Sequence, residues 1–360
     1  MTKQPTILIM AAGTGGHIFP ALAVADELKK QGARVLWLGT PMGMENALVG
    51  DKYPMNTIDM QGLRGKGLAR MIKMPIMLFR AVMESKNIIK NNGVDVVVGF
   101  GGYVSSAGGL AGKWCKKPLI IHEQNAIAGM SNKTLANYAD KVLQAFDSAF
   151  GDKAMTVGNP VRADIETLAP PDERYKKDDQ TPLKVLVVGG SLGASAINKA
   201  IVELLKVSDK PLSIKHQCGK ENFDEMLVAY SQAGIDTHKH TFVPMAFIDD
   251  MASAYAWADV VICRAGALTV SEIASVGVAA IFIPLPHAVD DHQTFNAKSL
   301  TDKGAGILLP QGQLSGTKLS EILGTLDRQK CLQMAQIAKK NAKKEVAKTV
   351  AEVVLGCVEK

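Results

Sequence analysis

Residues 10–20 read MAAGTGGHIFP. Gly13, Gly15 and Gly16 crowd four positions, and His17 follows at once. Glycines let backbone N–H groups come close to a phosphate. A histidine, whose ordinary pKa is near neutral, can take a proton from a hydroxyl. Two more glycine clusters follow apolar runs: GFGGY from Gly99 and GGSLG from Gly189. A strand that ends in glycines before a helix presents N–H groups at the positive end of the helix dipole, which suits phosphate. A single loop of this kind can equally be a tight turn. Three of them at strand ends, where ligands sit in open α/β sheets, favour phosphate.

The spacing excludes several nucleotide chemistries. None of the clusters fits G-x-G-x-x-G: position 18 is Ile, and 190–193 is spaced differently. A dinucleotide site also wants an acid about 20 residues on, after the second strand. There the two halves offer LGT and QCGK. No G-x-x-x-x-G-K-[ST] occurs, and the nearest approach to D-x-D is Asp164-Ile-Glu166. Neither a metal nor a redox cofactor is expected. A nucleotide would be held by helix ends and side chains.

The stretch CRAGALTVSEIASVG (263–277) joins a strand, a glycine turn and a helix from about 267. Glu272 falls in the first turns of that helix. Its carboxylate can accept two hydrogen bonds from a ribose diol, and backbone groups of 267–271 can read a base edge. An acid favoured by the helix dipole is an equal alternative.

Short Val/Ile/Leu runs separated by helical stretches must position these loops. They include TILIM, RVLWLG, VDVVVG and PLIIHE in the first half, and KVLVVGG, LSIKHQCG, DVVICRAG and AAIFIP in the second. Runs that are apolar on both faces predict parallel strands in doubly wound sheets. The theme of strand, glycine turn and helix appears as ILIMAAGTGGHIFPALAVADEL and again as VLVVGGSLGASAINKAIVELL. Two Rossmann-like domains follow, 1–163 and 164–342. The polar stretch 169–182 reads as a linker, and a last helix in 343–360 is expected to pack back on the first domain.

At 360 residues and 47% hydrophobic composition the chain can build two cores. Its five cysteines are scattered, with no CxxC pair, which argues against a disulfide framework or zinc site and for a reducing compartment. The N-terminal apolar run is too short for a secretory signal. The weakly charged run 265–286 reads as helix then buried strand, not a membrane span. The net charge of +6 is uneven: 60–90 carry seven Lys/Arg against one Glu, and so do 328–348, which leaves the rest at −6. Two local basic regions suit a localised anionic partner better than nucleic acid.

The motifs GTGGHIFP, GLRGKG, GFGGYVSSAGGLAG, HEQNAIAG, VGNPVR, VVGGSLGA, FIDDMASAYAWADVVICRAGALTVSE and DDHQTFNA occur in order across nearly the whole chain. The chain thereby resembles the MurG family of bacterial UDP-N-acetylglucosamine:lipid I N-acetylglucosaminyltransferases of peptidoglycan synthesis. That resemblance implies a GT-B fold, two Rossmann-like domains with a cleft between them. It implies UDP-N-acetylglucosamine as donor and the pyrophosphate-bearing lipid I as acceptor, with the donor mainly on the second domain. The family's donor contacts fall on Thr14, Gly15, Gly16, Asn125 and Arg162. They continue on Ser191, Ile248, Ala267, Leu268, Thr269, Val270, Ser271, Glu272 and Gln293. The chain departs from the pattern at Ala11-Ala12, where the family often has glycine, and LPHAVDDHQTF is one residue longer, so His292 is the alternative to Gln293.

The resemblance also places a membrane-docking surface on ARMIKMPIMLFRAVMESKNIIK. Ile72, Ile76, Phe79 and Trp114 would insert while Lys73 and Arg80 meet anionic headgroups at the cytoplasmic face of the plasma membrane. The plain alternative is a Met-rich core helix with a solvated basic edge. The reaction implied is a single inverting displacement at the anomeric carbon. His17 is the expected base, with His122 and Glu123 in reserve. A UDP-N-acetylglucosamine 2-epimerase, a diacylglycerol sugar transferase and a non-catalytic nucleotide-regulated adaptor are the other readings.

Overall fold

The computed structural model describes residues 4–60, 68–176, 181–189, 194–286 and 289–358; for 68–73 and 289 it describes the backbone alone. The chain divides into two compact units, Met1–Arg162 with Glu345–Lys360, and Ala163–Lys344.

Among the described residues the first unit is built on seven parallel strands: β1 (Thr6–Met10), β2 (Arg34–Gly39), β3 (Met55–Thr57), β4 (Val96–Gly99), β5 (Leu119–Glu123), β6 (Lys141–Gln144) and β7 (Met155–Thr156). Their order is β3-β2-β1-β4-β5-β6-β7. All five residues of β1 are buried. Because side chains alternate along a strand, Ile7 and Ile9 enter one core with helices Gly15–Lys30 and Val346–Leu355. Leu8 and Met10 enter the other, with helices Leu68–Asn91 and Tyr103–Trp114. Covering both faces removes the polar side that an alternating strand would need, which is why these strands read as unbroken apolar runs. The C-terminal helix contributes Val346, Val350, Ala351 and Val354 to the core around Gly15–Lys30.

The second unit repeats the plan with β8 (Leu183–Val188), β9 (Leu212–Gln217), β10 (Thr241–Met245), β11 (Val260–Cys263), β12 (Ala279–Phe282) and β13 (Ile307–Leu308), ordered β10-β9-β8-β11-β12-β13. In each sheet the order reverses beside the first strand, between β1 and β4 and between β8 and β11. A crevice opens at the carboxyl ends of strands at such a switch point. The glycine loops after β1, β4 and β11 all lie there.

The part of the expected linker that the structure describes up to residue 176 is packed instead. Helix Pro171–Arg174 belongs to the second unit. Tyr175 is buried, and its hydroxyl donates to the Asp259 carbonyl at 2.7 Å. The Arg174 guanidinium donates to the Val276 carbonyl at 3.0 Å and to that of Gly277. Polar composition suggested a tether; here the Arg174 guanidinium caps the end of helix Ala267–Val276. Among the described residues no helix is long and apolar enough to cross a membrane.

Candidate active site

In the first unit the loops after β1 and β4 interlock. Gly13, Gly101 and Gly102 have φ of 99°, 100° and 80°, a region that side chains rarely tolerate. The approach is as tight as the backbone is unusual: a Cβ at Gly102 would stand 2.7 Å from the Ala12 carbonyl oxygen. Thr14 caps helix Gly15–Lys30 with extended backbone and no side-chain hydrogen bond to the first turn. His17 is therefore the third residue of the helix rather than a loop residue.

His17 is half-buried, and its Nδ1 lies 3.3 Å from the Ala12 carbonyl oxygen. A carbonyl can only accept, so Nδ1 carries the proton. The neutral ring then holds its lone pair on Nε2, the form a general base needs. The Cδ2 and Nε2 side of the ring meets the second glycine loop, where a Cβ at Gly101 would come within 3.0 Å of both atoms.

His17 lines a cavity of about 590 Å³ that lies wholly within the first unit. Ala12, Gly13 and Thr14 form one wall, Thr40 to Met42 a second, Gly101 to Tyr103 a third, and Glu123, Asn125 and Gly129 to Asn132 a fourth. Asp59 and Met60 complete the lining. The fourth wall is organised by the Glu123 carboxylate. It accepts from Asn125 N at 2.9 Å, Asn125 Nδ2 at 3.2 Å, Gly129 N at 3.0 Å and Asn132 Nδ2 at 2.9 Å. Four donors on one carboxylate make it an organiser rather than a proton acceptor. His122 is fully buried. Its Nε2 donates to the Gly158 carbonyl at 2.8 Å, and Nδ1 accepts from Gln124 Nε2 at 3.1 Å. Burial pushes its pKa down to about 4. Neither reserve candidate is placed to serve as the base, whereas His17 lines the cavity.

Of the expected donor contacts in this unit, Thr14 and Asn125 line the same cavity. Arg162 lies with its guanidinium 5.9 Å from the Phe19 ring centre, and the same ring packs 3.0 Å from where a Cβ of Gly15 would stand. Gly16 opens the helix beside Gly15.

In the second unit Ala267, Leu268, Thr269, Val270, Ser271 and Glu272 share one helix, Ala267–Val276, capped by Gly266. Glu272 is its sixth residue and no acid stands in the first turn, which removes the dipole explanation for it. Glu272 is buried and accepts from the Tyr255 hydroxyl at 2.9 Å. Tyr255 rides on helix Met251–Trp257, just after Ile248, which is itself buried. Gln293 and His292 start helix His292–Thr301. The Gln293 side-chain oxygen accepts from Leu285 N at 2.9 Å, and Asn296 Nδ2 donates to the Ala265 carbonyl at 3.2 Å. The helix is thus tied to the loops after β11 and β12. Ser191 lies outside the described residues.

Three groups escaped the sequence reading. Arg264 donates to the carbonyls of Ile283 and Pro284 and, at 2.7 Å, to Gln311 Oε1, and so shapes the turn before Ala267. Tyr255 holds Glu272. Glu45 is fully buried beneath the first glycine loop. Each acts across 17 or more residues, which no local motif reveals.

On helix Leu68–Asn91, Ile76 and Phe79 are 60% and 59% exposed, and Arg80 is exposed beside them. Ala81, Val82, Ser85 and Ile89 occupy the buried face. The stretch is thus neither wholly core nor wholly solvated. Trp114, 54% exposed, carries the Lys86 ammonium 4.2 Å from its ring centre. The side chains of Ile72 and Lys73 lie outside the described residues.

Two family models match the chain: the glycosyltransferase family 28 N-terminal domain over residues 7–144 and its C-terminal domain over 184–350. A protein from Psychrobacter arcticus named UDP-N-acetylglucosamine--N-acetylmuramyl-(pentapeptide) pyrophosphoryl-undecaprenol N-acetylglucosamine transferase is 55% identical, covering 98% of this chain and 99% of its own length. A protein of the same name from Neisseria meningitidis is 46% identical, covering 98% of both. The crystal structure of Acinetobacter baumannii MurG matches with a TM-score of 0.85 and 41% identity, over 98% of this chain and 99% of that one.

Proposed function

The chain belongs to glycosyltransferase family 28, and from that membership we infer that it transfers N-acetylglucosamine from UDP-N-acetylglucosamine to lipid I, forming lipid II. It is a hexosyltransferase of peptidoglycan and cell-wall synthesis with the GT-B fold. The acceptor is the C4 hydroxyl of the muramyl sugar, and the product bond is β1→4. The α-linked donor inverts in one displacement through an oxocarbenium-like state, as in inverting hydrolysis.

Two demands follow from that displacement: the attacking hydroxyl must lose a proton, and the departing UDP must be met by hydrogen-bond donors. His17 answers the first. The observation that carries this is its Nδ1 contact with the Ala12 carbonyl at 3.3 Å, which puts the lone pair of a neutral ring on Nε2, in a residue that lines the 590 Å³ cavity. Ser191, a donor contact that the family resemblance implies, answers the second. Glu272 takes the ribose diol, Ala267 to Ser271 read the base, and Asn125 and Gln293 contact the sugar. The glycine loops of the first unit suit the acceptor pyrophosphate.

The chain works as a peripheral protein at the cytoplasmic face of the membrane. Ile76 and Phe79 support this, since two large apolar side chains exposed on one helix beside Arg80 match an anionic lipid surface.

Incubating the protein with labelled UDP-N-acetylglucosamine and a soluble lipid I analogue tests the reading. UDP release that requires the analogue is expected. Release without it, with an epimerised sugar, would mark the 2-epimerase, and a diacylglycerol as the only competent acceptor would mark the lipid sugar transferase. Nucleotide binding with neither would mark an adaptor.

A further inference from the structure

Glu45 opens the short helix Glu45–Val49 and is 0% exposed. Its Oε1 accepts from Thr40 N at 2.8 Å and Thr40 Oγ1 at 2.7 Å, and its Oε2 accepts from Gly13 N at 3.3 Å. All three contacts are donations to it, spread over both oxygens, which is what a carboxylate presents. The backbone closes tightly around the group: a Cβ at Gly43 would overlap the carboxylate, and Asn46 Nδ2 ties the same turn to the carbonyls of Thr40 and Gly43. Both walls that Glu45 joins, at Gly13 and at Thr40, line the cavity.

The Gly13 N–H and the Ala12 carbonyl belong to one peptide group. No cis peptide bond is present among the described residues, and in a trans peptide N–H and C=O point in opposite directions. One end of this plane donates to Glu45, and the other accepts from His17 Nδ1 at 3.3 Å. A carboxylate that accepts from an amide N–H pushes the amide's electrons toward the carbonyl oxygen at the other end, so consecutive hydrogen bonds strengthen one another.

We propose that Glu45 is a positioning residue for the transfer reaction, acting on His17 through the Ala12–Gly13 peptide. It fixes the plane of that peptide, holds the imidazole in the Nδ1–H tautomer and favours the imidazolium that forms when Nε2 takes the acceptor proton. It touches no substrate. The arrangement is a carboxylate–histidine pair with one peptide group inserted between the partners. The inference rests on His17 being the base. Asp59, Glu123 and Tyr103 also line the cavity; all three are kept in the variant, so a change in titration reports on Glu45.

The test is Glu45→Gln in the full chain, assayed with a soluble lipid I analogue across pH. The amide keeps an acceptor for Thr40 but turns an NH2 toward Gly13. Turnover is expected to fall roughly tenfold to a hundredfold, less than when a histidine loses a carboxylate in direct contact. The KM for UDP-N-acetylglucosamine should stay within about twofold, since donor contacts on the second unit are untouched. The acid limb of kcat/KM should move to lower pH, because a ring without its carboxylate is a weaker base. A folded variant with full turnover and an unmoved acid limb would overturn the proposal. A second measurement covers a variant that fails to fold: nitrogen-15 NMR of histidine-labelled wild-type protein, with His17 assigned by its Ala variant. The Nδ1–H tautomer supports the relay, and Nε2–H overturns it. If His17→Ala keeps near-normal turnover, the base assignment fails instead, and the tautomer still reports on the peptide link.

Discussion

The imidazole of His17 rests on the backbone of Gly101: a side-chain carbon at Gly101 would reach within 3.0 Å of Cδ2 and Nε2. Two loops, after β1 and β4, thus meet at one ring, and Gly101 holds φ of 100° to allow it. Gly101→Ala is expected to destabilise the protein by about 1–3 kcal/mol through backbone strain alone. It should also lower kcat well beyond what that loss of stability explains, because the ring must move. Steady-state kinetics beside urea unfolding checks this, and an Ala variant with wild-type kcat would show that the ring does not depend on this packing.

Glu272 and Tyr255 form the corresponding pair in the second unit. Hydrogen bonds to a charged carboxylate are worth about 1.5–3 kcal/mol, so Glu272→Ala should raise the KM for UDP-N-acetylglucosamine roughly tenfold or more. The acceptor KM should stay near its wild-type value. Tyr255→Phe should give a smaller rise of the same kind, since it frees the carboxylate without removing it. Equal effects on donor and acceptor would argue against a ribose contact.

Two buried histidines make stability depend on pH. Burial lowers the pKa of His122 and of His216 to about 4, against 6.5 for an exposed ring. Between those values the unfolded chain binds protons that the folded chain refuses, so stability rises with pH. It is fully present above about 6.5 and drains away as the pH falls toward 4, on the order of 3 kcal/mol for each ring. Urea midpoints measured from pH 7 to 4.5 should fall steadily. A level midpoint across that window would contradict the burial of these rings in neutral form.

Ile76 and Phe79 should govern attachment to membranes. Burying an exposed Phe side chain is worth about 1.5–3 kcal/mol, so Phe79→Ser should weaken binding to anionic vesicles roughly tenfold or more. Arg80→Glu should weaken it too, and more at low salt than at high. Transfer to a water-soluble acceptor should be unaffected. Vesicle sedimentation at two salt concentrations, with that assay alongside, separates docking from catalysis.

Much of the fold is legible in the sequence because both sheets are covered on both faces. Runs such as TILIM and VVIC are apolar without alternation, and each is followed by a glycine loop at a switch point. The candidate site is legible where chemistry is local: His17 beside three glycines, and Glu272 a few residues into its helix. It is hidden where a contact spans the chain. Nothing near Glu45 signals that its carboxylate holds Gly13, 32 residues away. Polar composition also misled at 169–182, where Tyr175 is core and Arg174 caps a helix. Composition records how polar a segment is, not which carbonyls stand ready to satisfy it.

His17→Ala, assayed for acceptor-dependent UDP release, decides whether His17 takes the acceptor proton. Removing a general base costs about a hundredfold to ten-thousandfold in rate, and the expected result is a loss of kcat in that range with the donor KM nearly unchanged. Turnover near the wild-type value would remove His17 from the role.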